Sequence, residues 1–179
     1  MNSRHIDNTQ EETMRNPRIW LQGLLLACLL GAAAASWAAP FKFTVDGNIA
    51  KSNQPGKNAY VFSEQALMAL PQHTITTSTS WTPVATFSGP RLADVLKLVG
   101  AKGTQIELHC IDEYTFTIPA SDADKYGVIL ARTMNGKVLD NASYGPLWVM
   151  YPRDQFADEL KTPLGEAKFA WQVIGLTVK

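Results

Sequence analysis

The sequence predicts an α+β domain that is rich in strands and carries two or three short helices. Two observations support this prediction. Several short segments alternate apolar and polar residues with the two-residue period of a half-buried strand, and the helical periods are short and end at Pro71 or Gly100. With 46% hydrophobic and 18% charged residues in 179 positions, the chain has the composition of one ordinary globular domain.

The charge balance excludes one large class of partner. The 16 Lys and Arg residues equal the 16 Asp and Glu residues, the isoelectric point lies near 6.8, and no run of basic residues occurs. Because binding to nucleic-acid phosphates needs a concentrated excess of Lys and Arg, we expect no nucleic-acid partner.

A secretory signal peptide is predicted at the N-terminus. Residues 19–39 are almost entirely apolar, follow two arginines and end in small residues. Ser36 and Ala38 stand three positions and one position before the predicted cleavage site. We therefore expect a mature chain that begins at Ala39, is located in the periplasm and has no membrane segment after cleavage.

Alternative hypotheses for this leader stay open. About 20 apolar residues are enough for an uncleaved membrane anchor, and the segment ending at Cys28 loosely resembles a lipoprotein cleavage box. Residues 1–13 carry three acidic residues, unlike a basic leader start, and Met14 is followed at once by Arg15. Met14 is therefore an alternative start to Met1.

Three regions are predicted: the signal peptide over residues 1–38, an N-terminal part over 39–73 and a main domain over 74–179. In the N-terminal part, apolar and polar residues alternate as in a strand up to Gly47, a polar, mobile stretch follows, and Ser63 is placed to cap a short helix. About 140 residues without repeats are enough to form one hydrophobic core.

The main domain opens with a Thr-rich, β-prone segment and the clearest helix of the chain. Residues 74–80 favour a strand that ends at Trp81. Ser88 or Gly89 is predicted to cap a helix with Pro90 in its first turn, because Leu92, Val95, Leu96 and Val99 then share one face.

The remaining elements follow from alternation and turn residues. Residues 121–124 match a capping-box pattern for a short helix, with Asp in place of the usual Glu or Gln, and Asn135-Gly136 is the strongest hairpin turn in the chain. Strands are predicted over residues 105–110, 114–118, 128–134, 137–139, 147–151 and 169–178, and a long polar loop over 152–167.

The common cofactor and metal motifs are absent from the sequence. The mature chain has two histidines, His73 and His109, and neither has a partner at helical metal-ligand spacing, so no dedicated metal site is predicted. Cys110 is the only mature thiol. It is interpreted as a buried strand cysteine that packs like a small hydrophobic residue, with a soft metal or redox ligand as the alternative.

Five segments, taken in order, resemble the oxidoreductase molybdopterin-binding domain of the sulfite oxidase superfamily in its small, exported, single-domain form. The resemblance spans about residues 74–178, and no single segment would establish it alone. It implies the mixed-sheet, sulfite-oxidase-like molybdopterin-binding fold. The segments are Phe87 to Leu96, Leu108 to Pro119, Val128 to Leu139, Tyr144 to Pro152 and Trp171 to Leu176.

For the enzymes of this family, the resemblance implies a molybdenum atom held by a pterin dithiolene and one protein cysteine, and transfer of an oxygen atom to or from a small substrate. The chain departs from them at that ligand. Their cysteine precedes the helix with the Gly-x-x-Leu-x-x-Leu pattern, whereas residues 74–86 contain no cysteine here. Cys110 follows that helix, so the ligand role is not transferred to it. Molybdopterin is the cofactor that the family implies, and the missing thiolate argues against molybdenum chemistry.

The resemblance also predicts a binding cleft, because the family's corresponding loops line the pterin pocket. Polar and aromatic residues stand beside strongly apolar strands at two turns, one after Cys110 and one before Gly145-Pro146. We expect one shared cleft for a small polar ligand, with a guanidinium positioned to meet an anionic group. Its predicted residues are Trp81, Asp112, Glu113, Tyr114, Arg132 and Tyr144.

Three functions are compatible with the sequence. The first is an exported, non-catalytic module that binds a small ligand or acts in a sensory or accessory role. The second is a molybdopterin-dependent oxidoreductase. The third is a periplasmic interaction domain whose exposed aromatic residues bind a partner protein.

Overall fold

The computed structural model describes residues 41–179, which belong to one compact unit. The predicted signal peptide and its cleavage site lie outside the described residues. No helix in the described part of the chain is both long enough and apolar enough to cross a bilayer.

A five-stranded mixed sheet forms the larger half of the fold. Its strand order is β2-β1-β11-β5-β6, and β1 runs parallel to β11 whereas the other neighbours are antiparallel. This arrangement places the first and last strands of the described residues side by side, with β11 at the centre of the sheet. The strands are β1 (Phe43–Gly47), β2 (Ala59–Phe62), β5 (Gln105–Cys110), β6 (Thr115–Pro119) and β11 (Val173–Val178).

Two smaller sheets complete the strand content. A four-stranded antiparallel sheet has the order β3-β4-β8-β9, and a separate pair joins β7 to β10. The predicted α+β, strand-rich, mixed-sheet class is therefore confirmed. These strands are β3 (Gln72–Thr77), β4 (Ala85–Pro90), β7 (Ile129–Ala131), β8 (Thr133–Met134), β9 (Lys137–Val138) and β10 (Trp148–Met150).

Five short helices lie in the described residues, instead of two or three. Ser63 accepts a hydrogen bond from the Ala66 N–H at 3.2 Å and so caps the first helix as predicted. The last two helices occupy the segment that the sequence predicted as a polar loop, and each has only four residues. The helices are α1 (Glu64–Met68), α2 (Leu92–Val99), α3 (Asp122–Lys125), α4 (Ala157–Leu160) and α5 (Pro163–Glu166).

Helix α2 begins later than predicted. Residues 88–90 form the end of β4, which pairs with β3 over its full length, so they belong to a strand. The helix starts after Arg91, whose side chain makes no capping hydrogen bond. Its end is as predicted, because Gly100 adopts the left-handed conformation with φ 64°. Leu92, Val95 and Val99 are buried on its inner face.

Two local patterns also differ from their prediction. The predicted strand 128–134 divides at Arg132, because β7 pairs with β10 whereas β8 pairs with β4. At the third helix, Ser121 has helical backbone angles and its side chain makes no capping bond. A capping side chain needs an extended residue at that position, and the turn before α3 does not provide one.

One continuous hydrophobic core connects the sheets and helix α2. Large aromatic side chains fill it, and the Trp148 ring meets Phe87 edge-on with the ring centroids 5.4 Å apart. The polar stretch between β1 and β2 is held against β2 by Asn53. Its side-chain amide donates to the Val61 carbonyl at 2.9 Å and accepts a hydrogen bond from the Val61 N–H at 2.8 Å. The largest fully buried side chains include Trp148, Tyr151, Phe43, Phe62, Phe87 and Phe169.

Candidate functional site

An open cavity of about 240 Å³ lies beside the turn that connects β5 to β6. The loop after β3 and the segment that follows α5 contribute its other walls. Four of its residues are aromatic and two carry carboxylates. The lining consists of Trp81, Cys110, Asp112, Tyr114, Glu166, Ala167, Phe169, Ala170 and Trp171.

Two indole rings form the aromatic side of the cavity. The rings of Trp81 and Trp171 meet edge to face with their centroids 4.7 Å apart. A compact turn presents Trp81, because the hydroxyl of Thr79 accepts hydrogen bonds from the backbone N–H groups of Trp81 and Thr82 at 3.1 and 2.9 Å. The fully buried Trp148 supports both rings, at centroid distances of 6.5 and 6.3 Å.

The segment from Glu166 to Trp171 is fixed from behind by side chains of other elements. Arg153 Nε donates to Glu166 Oε1 at 2.7 Å, and Lys168 Nζ donates to the Asp122 carboxylate at 2.8 Å. The Trp148 indole N–H donates to the backbone carbonyl of Phe169 at 3.1 Å. This wall of the cavity is therefore preorganised.

The polar part of the lining is acidic. Asp112 accepts a hydrogen bond from the backbone N–H of Tyr114 at 3.2 Å and forms no salt bridge within the described residues. Glu166 uses Oε1 for Arg153, whereas its Oε2 atom is buried and meets no hydrogen-bond donor in the described part of the chain. None of the lining residues is Lys or Arg.

Cys110 lies at the end of β5 on the cavity wall, with 6% of its surface exposed. Burial, followed by the nearby Asp112 carboxylate, raises the pKa of its thiol to about 11. The group is therefore a neutral thiol near neutral pH, and a thiolate is the form that binds metals. No cluster of three or more His, Cys, Asp or Glu side chains that could hold a metal ion occurs among residues 41–179.

The structure brings together three of the six residues that the sequence predicted for a shared cleft. Trp81, Asp112 and Tyr114 line the cavity. Glu113 lies at the same turn with φ 66° but is not part of the lining. Tyr144 lies one layer behind, since its ring stacks on Trp148 at 4.1 Å and only its edge approaches Trp171, at 6.0 Å.

Arg132, which was predicted to meet an anionic ligand group in the same cleft, is not among the residues that line this cavity. Its Nε donates to Glu64 Oε1 at 2.7 Å, and its Nη1 donates to the backbone carbonyls of Leu139 and Pro146. The Arg132 side chain is only 14% exposed at the break between β7 and β8, and a largely buried guanidinium needs such partners because an unpaired buried charge is costly. Its donors are thus used to hold neighbouring loops.

Six lining residues were not part of the predicted cleft, namely Cys110, Glu166, Ala167, Phe169, Ala170 and Trp171. Glu166 stands in a polar segment among several similar charged residues, so nothing in the pattern distinguishes it. Trp171 could have been found, because an aromatic residue next to an apolar strand is a common wall for a binding site.

Residues 74–86, the stretch in which the resemblance implies a metal-binding cysteine in the family's enzymes, present hydroxyl groups that bind one carboxylate. Asp154 accepts hydrogen bonds from the Ser78 backbone N–H at 2.6 Å and from the Ser78 hydroxyl at 2.8 Å, and its own N–H donates to the buried Thr77 hydroxyl at 3.0 Å. Hydrogen bonding to Lys161 and then to Ser78 holds the pKa of Asp154 well below its usual range.

Comparison with known proteins identifies one family and one fold. The family model described as oxidoreductase molybdopterin binding domain matches residues 34–162, which begins earlier than the resemblance seen in the sequence. No curated protein matches the chain.

A solved structure with the same fold is the sulfane dehydrogenase SoxCD from Paracoccus pantotrophus. It aligns with a TM-score of 0.57 and 17% sequence identity, over 77% of this chain and 38% of that one. The chain thus spans well under half the length of that protein, and the similarity concerns the fold alone.

Proposed function

We propose a function for this chain from its family, since it belongs to the oxidoreductase molybdopterin binding domain family. The chain is an exported domain that uses the family's fold to bind a small ligand and does not catalyse a redox reaction. The cavity beside the β5-β6 turn is the observation that carries this proposal. It combines aromatic walls with a few polar groups, which is the usual composition of a small-molecule site.

The lining of the cavity does not fit the molybdenum cofactor. That cofactor carries a phosphate and a dithiolene, both anionic, and such groups are normally bound by Lys, Arg or backbone N–H groups. Here the charged lining residues are Asp112 and Glu166. The one thiol on the wall, Cys110, has a raised pKa, which further disfavours the thiolate that would bind a metal.

The stretch over residues 74–86 supports the same proposal. It offers no thiol, and its Thr77 and Ser78 hydroxyls are already hydrogen-bonded to Asp154 and its backbone. A ligand for molybdenum would have to come from another segment. We therefore place the ligand in the aromatic cavity and assign no reaction to the domain.

Export is the second part of the proposal. It rests on the apolar run over residues 19–39 and the small residues that end it. Expression of the full chain followed by intact mass measurement of the periplasmic fraction tests this part. The expected mass corresponds to a chain that begins at Ala39, and a diacylglycerol adduct on Cys28 or retention of the leader in the membrane would contradict it.

Binding and the absence of catalysis are tested on the same exported protein. We expect native mass spectrometry of the chain purified from molybdenum-replete cells to show a small molecule that is released on denaturation, and elemental analysis to give far less than one molybdenum atom per chain. Stoichiometric molybdenum would overturn the proposal and favour the molybdopterin-dependent oxidoreductase, which is the activity class of the family.

A further inference from the structure

We propose that the ligand of this cavity is a small organic cation, of the quaternary or methylated ammonium class. This inference rests on the proposed function, since it names the chemistry of the ligand that the same cavity would bind. Three properties of the lining support it, namely its aromatic residues, its charge and its size.

The aromatic residues fit the recognition of a cation. Trp81, Tyr114, Phe169 and Trp171 lie around one space of about 240 Å³. The face of an aromatic ring carries negative electrostatic potential, so several rings around one site attract a positive group, and they do so best when the cation holds its water weakly. A methylated ammonium has an apolar surface and holds water weakly, whereas a primary ammonium is strongly hydrated.

The charge of the lining favours a positive ligand over a negative one. Asp112 and Glu166 contribute two carboxylates, and no lining residue is basic. Glu166 and the basic side chains behind the wall are already paired, Glu166 with Arg153 and Lys168 with Asp122. Asp112 is therefore the lining carboxylate that has no salt-bridge partner within the described residues.

Asp112 is the carboxylate that separates a cation from a neutral apolar ligand. It is exposed on the cavity wall and forms no salt bridge within the described residues. Glu166 is already paired with Arg153, and its remaining oxygen, Oε2, is buried and out of reach of a ligand in the cavity. A positive group would be attracted by the Asp112 carboxylate, and a neutral apolar ligand would not.

The size of the cavity limits the ligand to a small molecule. A volume of about 240 Å³ is below the range of roughly 300–1,000 Å³ that is typical of sites for drug-sized ligands. A trimethylammonium group with a short polar chain is of the appropriate class, and a pterin with its attached phosphate is not.

A pair of probes with the same shape and different charge tests the proposal. Choline carries a trimethylammonium group, and 3,3-dimethylbutan-1-ol is its neutral analogue with carbon in place of nitrogen. Isothermal titration calorimetry with the exported full chain, freed of any co-purified molecule, is expected to show choline binding that is at least about tenfold tighter than that of the alcohol.

A substitution of Asp112 assigns the effect to the cavity. We expect Asp112→Asn to weaken choline binding about two- to fivefold without changing the affinity for the neutral alcohol. Asp158→Asn, on the exposed face of α4, is the matched control and should leave both affinities unchanged.

The outcomes for the cation and for the proposed function are distinguishable. Equal affinity for choline and the alcohol, no binding of choline, or unchanged choline binding in Asp112→Asn would overturn the cation proposal. A neutral or anionic co-purified molecule would also overturn it, while the proposal of a binding domain would stand. Stoichiometric molybdenum in the purified protein would instead remove the proposed function itself.

Discussion

Replacement of the buried Asp122 by Ala is predicted to destabilise the fold strongly. Asp122 begins helix α3, and only 4% of its surface is exposed. Its Oδ2 atom accepts a hydrogen bond from the Tyr151 hydroxyl at 3.1 Å and from Lys168 Nζ at 2.8 Å. Burial, followed by the neighbouring Asp122 carboxylate, raises the pKa of Tyr151 well above its usual value, so its hydroxyl stays protonated and donates.

The expected cost follows from what the substitution leaves behind. Removing one member of a buried ion pair costs about 3–5 kcal/mol, because the other charge remains without compensation. Lys168 keeps 16% of its side chain exposed and can turn toward water, so we expect a value near the lower end, about 3 kcal/mol. For a domain of this size that corresponds to a fall in melting temperature of roughly 10 °C.

Urea unfolding followed by far-ultraviolet circular dichroism measures this cost. Asp124→Ala is the matched control, because Asp124 lies on the same helix and is exposed, and surface changes of this kind usually stay within about 0.5 kcal/mol. Asp122→Asn should fall between the two, since it keeps an acceptor and loses the charge. A loss below about 1 kcal/mol for Asp122→Ala, or one equal to that of Asp124→Ala, would refute the reasoning.

Three further predictions concern reactivity, acid stability and packing. Because the pKa of Cys110 is raised to about 11, iodoacetamide at pH 8 should modify the native protein at least about a hundredfold more slowly than the unfolded chain; equal rates measured by mass spectrometry would contradict this. The lowered pKa of Asp154, caused first by Lys161, means that its contribution to stability is present above about pH 4 and is lost as the pH falls toward its folded-state value. Asp154→Asn should therefore flatten the acid limb of the unfolding free energy against pH, and an unchanged limb would show that other carboxylates determine it. In Gly89→Ala, the added Cβ would lie 2.0 Å from the Leu130 carbonyl oxygen, so we expect thermal denaturation to show a loss of unfolding free energy of at least about 3 kcal/mol. An unchanged melting temperature would mean that β4 and β7 move apart at this point without cost.

The elements that could be predicted are those specified by their own residues. Helix α2 has an apolar stripe and a Gly that accepts the left-handed conformation at its end. Asn135-Gly136 forms the predicted hairpin turn because both residues adopt positive φ, 51° and 75°. The β5-β6 pair was likewise predictable from alternation alone.

The elements that could not be predicted depend on contacts distant in sequence. Strand β2 lacks a polar alternation and forms because β1 provides a neighbour. Helices α4 and α5 have four residues each, too short for a periodic signal. The residues of the cavity likewise differ in whether the sequence could predict them. Trp81, Asp112 and Tyr114 stand at recognisable turns. Glu166 reaches the site only because its segment folds onto Arg153.

The cluster of indole rings also determines what the protein's intrinsic fluorescence can report. Of the five Trp residues in the chain, only Trp81, Trp148 and Trp171 lie in the described part, and their ring centroids are within 6.5 Å of one another. Once the predicted leader is removed, all indole emission thus originates from two rings on the cavity wall and one buried ring that packs against both of them. A fluorescence signal from this protein is a local optical probe of that wall, and an emission change without a change in circular dichroism would locate an event at the site and not in the sheets.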